Sequence, residues 1–267
     1  MSSSRELASG KLVLDEPREG VSRLRISNPE RRGALDHEIL DTLAETVAGL
    51  HARCLVLTGT GPDFSAGYDL GNLEEGEFEQ RAEQLVAHPF HAAIAALEAF
   101  PFPVIAQLNG HTIGGGLELA LSCDIRMAAR GIRLGMPPAR LGLIYSHTGL
   151  RKFLDLCGPG NTAELFYVGR NVEAARAFEM GLLNHVVEPG ELEARVTLMA
   201  SVIAANAPLS LKGNKRVIRT LQAHAAALPA DVEDELIELR ESCFSTEDFR
   251  EGVRAFSQKR LPEWKGR

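Results

Sequence analysis

Short, dense apolar runs separated by amphipathic stretches set the rhythm of the chain up to residue 190. Cys54-Leu55-Val56-Leu57-Thr58 and Val104-Ile105-Ala106-Gln107-Leu108 are compact and bounded by turn residues, the pattern of strands buried on both faces. Residues 11–15 and 21–27 read as shorter strands, the second carrying Val21, Leu24 and Ile26 before the break at Asn28-Pro29. Behind Asp36, an N-cap or first-turn acid, Ile39, Leu40, Leu43, Val47 and Leu50 recur at helical spacing and deliver the chain into the Cys54 run. A second helix carries Phe90, Ile94 and Leu97 and stops before Pro101-Phe102-Pro103, because a residue preceding proline is pushed out of helical geometry. Asp124-Ile125-Arg126-Met127-Ala128 and Arg133-Leu134-Gly135 read as further strands. Residues 161–167, 172–180 and 191–205 read as helices, with Gly181 as a C-cap, and from Pro208 onward the pattern is almost wholly helical. Strands alternating with helices predict an α/β fold with parallel pairing and ligands near the strand C-termini. The 267 residues contain no low-complexity linker, so one main core, 1–205, is expected with an appended helical segment, 206–267.

Composition narrows the classes. A formal net charge of -7 gives no footprint for nucleic acid, and no apolar run is long enough to cross a bilayer. Cys54, Cys123, Cys157 and Cys243 are scattered without a C-x-x-C pair and read as reduced core thiols of a cytoplasmic protein, not as disulfides or metal ligands. Met1 to Glu6 has no apolar core, so no signal peptide is expected. The acidic stretch from Glu74 to Glu83 reads as a solvated face.

The densest chemistry is Gly114-Gly115-Gly116-Leu117-Glu118-Leu119-Ala120, where a strand and turn give way to strong helix formers. The first amides of a helix lack intrahelical partners and sit at the positive end of its dipole, so Gly115 and Gly116 can offer donors to an oxyanion. Glu118 falls in the same first turn. The plainer reading is that the glycines allow tight packing and the glutamate balances the dipole.

That stretch does not stand alone. Leu57-Thr58-Gly59-x-Gly61-x-x-Phe64-Ser65-Ala66-Gly67-x-Asp69-Leu70, followed by Pro103-Val104-Ile105-Ala106-x-x-Asn109-Gly110 and Gly114-Gly115-Gly116-x-Glu118-Leu119-Ala120-x-x-Cys123-Asp124-Ile125-Arg126, resembles the crotonase superfamily, the enoyl-CoA hydratase/isomerase group. The likeness continues through Gly169-Arg170, Gly181-Leu182-Leu183-Asn184 and Ala207-Pro208 to Phe256-x-x-Lys259-Arg260. It implies a right-handed ββα spiral, a C-terminal helical region that makes trimers or hexamers, and an acyl-CoA thioester as substrate. Coenzyme A then enters with the substrate and no separate cofactor or metal is expected. The oxyanion donors implied are the backbone amides of Tyr68 and Gly115.

The same likeness shows a departure. Hydratases of the family place two glutamates around a water; Glu118 fills the first position, but Pro138 stands at the second and has no acid to offer. Tyr145 and Pro138, with a bulky ring after Ser65-Ala66-Gly67, resemble the methylmalonyl-CoA decarboxylase branch. Loss of CO2 from a malonyl thioester needs oxyanion donors and a group to hold the leaving carboxylate, and a neutral phenol such as Tyr145 suits that task. Glu118 or His147 then protonates the carbanion. A buried glutamate beside a substrate carboxylate has to be either protonated or turned away. Tyr145 as a plain core aromatic, and His147 and His111 as structural residues, are the alternatives. For coenzyme A the likeness implies Arg31 or Arg32 near phosphate, backbone around Ala34, Ala66, Asp69, Leu70 and Gly114, and Phe256 and Lys259 from a neighbouring subunit over the adenine end. Three readings stay open: a (methyl)malonyl-CoA-type decarboxylase, an enoyl-CoA hydratase, isomerase or hydrolase using Glu118 alone, and a non-catalytic shell that binds CoA esters.

Overall fold

The structure, a computed structural model, describes residues 4–69 and 89–267. Its large sheet has seven strands. β1 (Arg5–Leu7), β2 (Leu12–Arg18) and β3 (Val21–Ile26) form an antiparallel meander, and β4 (Cys54–Gly59), β6 (Val104–Leu108), β8 (Ile125–Ala129) and β11 (His185–Val187) extend it in parallel from β3. Every residue of β4 and β6 is buried, as dense apolar runs require.

A second sheet of four short strands, in the order β10 (Val172–Glu173), β9 (Arg133–Gly135), β7 (His111–Ile113) and β5 (Asp63–Ser65), faces the site. Successive turns of the chain place one strand in the large sheet, one in the small sheet, and then a helix. β4 and β5 precede α2 (Pro89–Ala99); β6 and β7 precede α3 (Gly115–Leu121); β8 and β9 precede α4 (His147–Ala163). This is the expected ββα spiral. α1 (His37–Ala48) crosses from β3 to β4, capped by Asp36, whose Oδ1 accepts from the Ile39 amide at 2.9 Å.

Two expectations need correction. The helix read over 161–167 begins much earlier, at His147; it bends at Gly158, where φ is 71°, ahead of Pro159, and closes in a widened turn over Glu164–Val168. The glycine and proline disguise a helix that continues past them with a changed direction. The helix read over 172–180 shortens to α5 (Ala174–Glu179), because Val172 and Glu173 pair antiparallel with Leu134 and Arg133 of β9.

α6 (Leu192–Ala205), α7 (Pro208–Ala226), α8 (Ala230–Phe244) and α9 (Glu247–Ser257) complete the nine α-helices among the described residues. α7 is bolted to the core through Asp124, which accepts from Lys215 Nζ at 2.8 Å, from Arg219 at 2.9 Å and from the Val104 amide at 2.8 Å. α8 and α9 turn back onto residues 138–147. Cys243 Sγ accepts from the Ile144 amide at 3.4 Å, and Cys243, Phe244 and Phe249 form a small core with Leu143 against it. All four cysteines are buried and free, as expected.

Candidate active site

Tyr68 is set by a single parallel bridge. The Leu35 amide donates to Gly67 O at 2.8 Å and the Asp69 amide donates to Leu35 O at 3.0 Å. In such a bridge the intervening residue, Tyr68, turns its own N–H out of the ladder. Gly67 has φ of +89°, and a Cβ there would stand 2.9 Å from Ile113 O and 3.1 Å from the Gly115 nitrogen, so only glycine lets this turn lie against the head of α3. On α3 the first amides to find acceptors are those of Leu117 and Glu118, both to Gly114 O. Among the described residues, the Tyr68 and Gly115 amides are both left without an acceptor. The Gly116 amide is open in the same way; the glycine turn by itself offers Gly115 and Gly116, and the resemblance implies Tyr68 and Gly115.

Glu118 projects from the first turn of α3 and is only 3 % exposed. The Tyr145 hydroxyl donates to it in a short hydrogen bond. Burial raises the Glu118 pKa, opposed by the Tyr145 bond and by the positive field of Lys152, with Glu98 adding to the rise. Lys152 and Glu98 are themselves hydrogen-bonded to each other. Burial, with the charge of Glu118 behind it, also lifts both the Tyr145 and Tyr68 phenols well above their ordinary value, so both stay neutral. Glu118 is therefore in its pocket and biased toward the acid, not turned away.

Gly149, two residues into α4, makes room for the pair: a Cβ there would lie 2.5 Å from the Tyr145 ring and 3.0 Å from Glu118 Oε1. Ser146 caps this helix, accepting from the Gly149 amide at 3.1 Å. Phe166 packs edge-on against Tyr145 at 5.5 Å between centroids and against Phe153 at 5.0 Å, and Phe90 packs on Tyr68 at 4.9 Å. An acid, a phenol and two open amides thus share one largely apolar recess.

The remaining expected residues are distributed as follows. Pro138 is buried in a 3-10 turn over Pro138–Leu141 and brings no acid. Tyr145, expected to donate to a substrate carboxylate, donates here to Glu118. His147 Nε2 lies 3.4 Å from Glu233 Oε1 on α8, while Tyr145 is the residue bonded to the acid. His111 Nδ1 accepts from the Arg133 amide at 3.0 Å, a strand-to-strand support. Arg31 pairs with Asp69 at 2.5 Å and Arg32 with Asp63 at 3.3 Å. Ala34 is buried and Ala66 half-buried beside them, and the Ala66 amide donates to Arg32 O at 3.0 Å. Gly114 is the N-cap of α3 at φ 57°. Phe256 is exposed near the end of α9, and Lys259 follows it at φ 53°. Leu70 and the acidic stretch lie outside the described residues. Sequence reasoning missed Gly149 and the Glu98–Lys152 pair; the glycine one turn after the Ser146 cap was the available signal.

A spiral of this topology, with paired amides and a buried acid at the turn between the two sheets, defines the crotonase architecture. The chain belongs to the enoyl-CoA hydratase/isomerase family, whose model matches residues 16–267, and it is an enzyme of that family acting on acyl-CoA. It is 35% identical to the putative enoyl-CoA hydratase/isomerase YngF of Bacillus subtilis, over 93% of this chain and 95% of that one. It is 32% identical to the short-chain-enoyl-CoA hydratase of Clostridium acetobutylicum, over 94% and 96%. Among solved structures it superposes with a TM-score of 0.88 on methylmalonyl-CoA decarboxylase complexed with 2S-carboxypropyl CoA, at 28% identity, covering 96% of this chain and 98% of that chain.

Proposed function

We propose that this chain forms and protonates the enolate of a CoA thioester by decarboxylating a malonyl-type substrate. The observation that carries the reading is the partner of the acid: among the described residues Glu118 is hydrogen-bonded to a phenol, and the nearby carboxylate, Glu98, acts on it only through space while bonded to Lys152. Adding water across a double bond needs a base for the water and a proton for the neighbouring carbon, a division of labour that two carboxylates perform. Decarboxylation needs no base. The bond between the α-carbon and the carboxylate breaks, its electron pair passes into the thioester enolate, and CO2 leaves. The amides of Tyr68 and Gly115 hold the enolate oxygen; one such donor is typically worth about 3–4 kcal/mol. The proton of Glu118 then goes to the α-carbon, and the Tyr145 hydroxyl steadies the carboxylate that remains. A proton taken up from the solvent then restores the acid form of Glu118, so each turnover consumes one proton.

Coenzyme A is proposed to lie along residues 31–35 and 66–70, with Phe256 and Lys259 at its adenine end, and the active form is proposed to be a trimer or hexamer. Exposed apolar side chains on the outer helices, including Leu198, Val202, Val217 and Leu221, support that assembly. The second reading, hydration or isomerisation through Glu118 alone, is favoured by the names of the two sequence relatives. Incubation with malonyl-, methylmalonyl-, ethylmalonyl- and crotonyl-CoA, read by CO2 release and by mass spectrometry of the thioesters, separates them. Efficient hydration of crotonyl-CoA with no CO2 from any malonyl thioester overturns decarboxylation, and a monomeric mass by light scattering overturns the assembly.

A further inference from the structure

A cation stands close to this recess without a hydrogen bond among the described residues. The Arg240 side chain, on α8, is only 13% exposed, and its one ion-pair contact among the described residues is Glu241, the next residue, at 3.8 Å. That separation is beyond hydrogen-bond reach. Its place on the helix is fixed by neighbours on the same face: Glu233, seven residues before, meets His147, and Cys243, three residues after, accepts from the Ile144 amide. Arg240 therefore faces the segment that carries Tyr145. Its charge also reaches the Tyr68 phenol, which feels Glu118 from the other side.

The Arg240 nitrogens are not among the buried polar atoms left without a partner, so the stem is covered while the guanidinium still meets solvent, and its planar fork is open to match a carboxylate in two parallel hydrogen bonds. We propose that Arg240 binds a carboxylate carried by the acyl part of the thioester and so selects acidic acyl chains over neutral ones. The inference rests on the acyl-thioester reading of the recess, but not on decarboxylation: an acidic enoyl chain awaiting hydration would be held in the same way. A phosphate of coenzyme A is the competing anion.

The test compares binding of carboxypropyl-CoA, propyl-CoA and free coenzyme A by calorimetry. The thioether ligands have no carbonyl to form an enolate, so turnover does not intrude. Wild type should prefer carboxypropyl-CoA over propyl-CoA. Arg240→Met, which keeps the apolar stem, should weaken carboxypropyl-CoA by about tenfold to a hundredfold and leave the other two unchanged. Arg240→Lys should recover part of the loss, and Glu241→Gln should change nothing. Absence of a wild-type preference for the carboxylate overturns the proposal without any variant. Equal weakening of all three ligands by Arg240→Met assigns the residue to the coenzyme and overturns it as well. Decarboxylation fails separately, if wild type releases no CO2 while this preference persists.

Discussion

Two acids six residues apart, Glu118 and Asp124, are treated in opposite ways. Asp124 meets two cations and a backbone amide, each at or below 2.9 Å, and through them ties α7 to the strands β6 and β8. Glu118 is more deeply buried and, among the described residues, has only a phenol to meet it and no cation in hydrogen-bond contact. A carboxylate whose lone pairs are met by fixed positive charge holds a structure together, and one left with a neutral partner in an apolar recess is poised to carry a proton. Burial and the sign and number of the partners together separate these roles.

The sharpest way to break the comparison is to remove the ionisable group from each acid. Glu118→Gln should lower kcat for CO2 release by about 10²–10⁴-fold, the usual worth of a positioned general acid, with the fold intact by circular dichroism. Retention of wild-type kcat would leave Glu118 with a structural role only. Asp124→Ala should do the reverse. Lys215, only 8% exposed, loses its carboxylate, and breaking such a buried pair costs about 3 kcal/mol, read as a lower melting temperature with kcat per folded molecule unchanged.

Tyr145→Phe is the next smaller effect. It removes one hydrogen bond to a charged group, worth about 1.5–3 kcal/mol, so kcat should fall roughly tenfold to a hundredfold. Because the phenol acts through Glu118, the double variant Glu118→Gln/Tyr145→Phe should be little worse than Glu118→Gln alone; additive losses would separate the two residues. The mildest effect is on stability against pH. Burial raises the Glu118 pKa above its ordinary 4.5, so between the two values the folded chain binds the extra proton. The contribution of Glu118 to stability is thus full below pH 4.5 and falls as pH rises through the raised pKa. Glu118→Gln should therefore gain melting temperature relative to wild type as pH increases. A constant difference across that range would mean that the acid is not perturbed.

Much of this was legible because it is local. The buried runs at 54–58 and 104–108, the Asp36 cap, the glycine head of α3 and the helical tail each write their signal within a few adjacent residues. The small sheet was not legible in full: β5 and β7 have three residues each, too few to show a period, and they exist by pairing with one another. The Glu118–Tyr145 bond spans 27 residues and is made by the spiral, so no pattern near either residue foretells it. Arg240 is further from legibility still. Its position on one face of α8 is ordinary, and only the return of α8 over residues 143–147 makes that face significant.

The bend at Gly158 has a mechanical consequence. Gly149 and Phe166 both touch Tyr145, yet they are separated by seventeen steps along the chain, which a straight helix would stretch to about 25 Å. The bend folds that length back so that the two ends close like a clasp on a single ring. The orientation of the phenol beside the acid is therefore tensioned from a hinge that touches neither. A residue other than glycine at 158, where φ is 71°, would slacken the clasp before it disturbed the sheet, and the first sign would be a loosened Tyr145 in a chain that still folds.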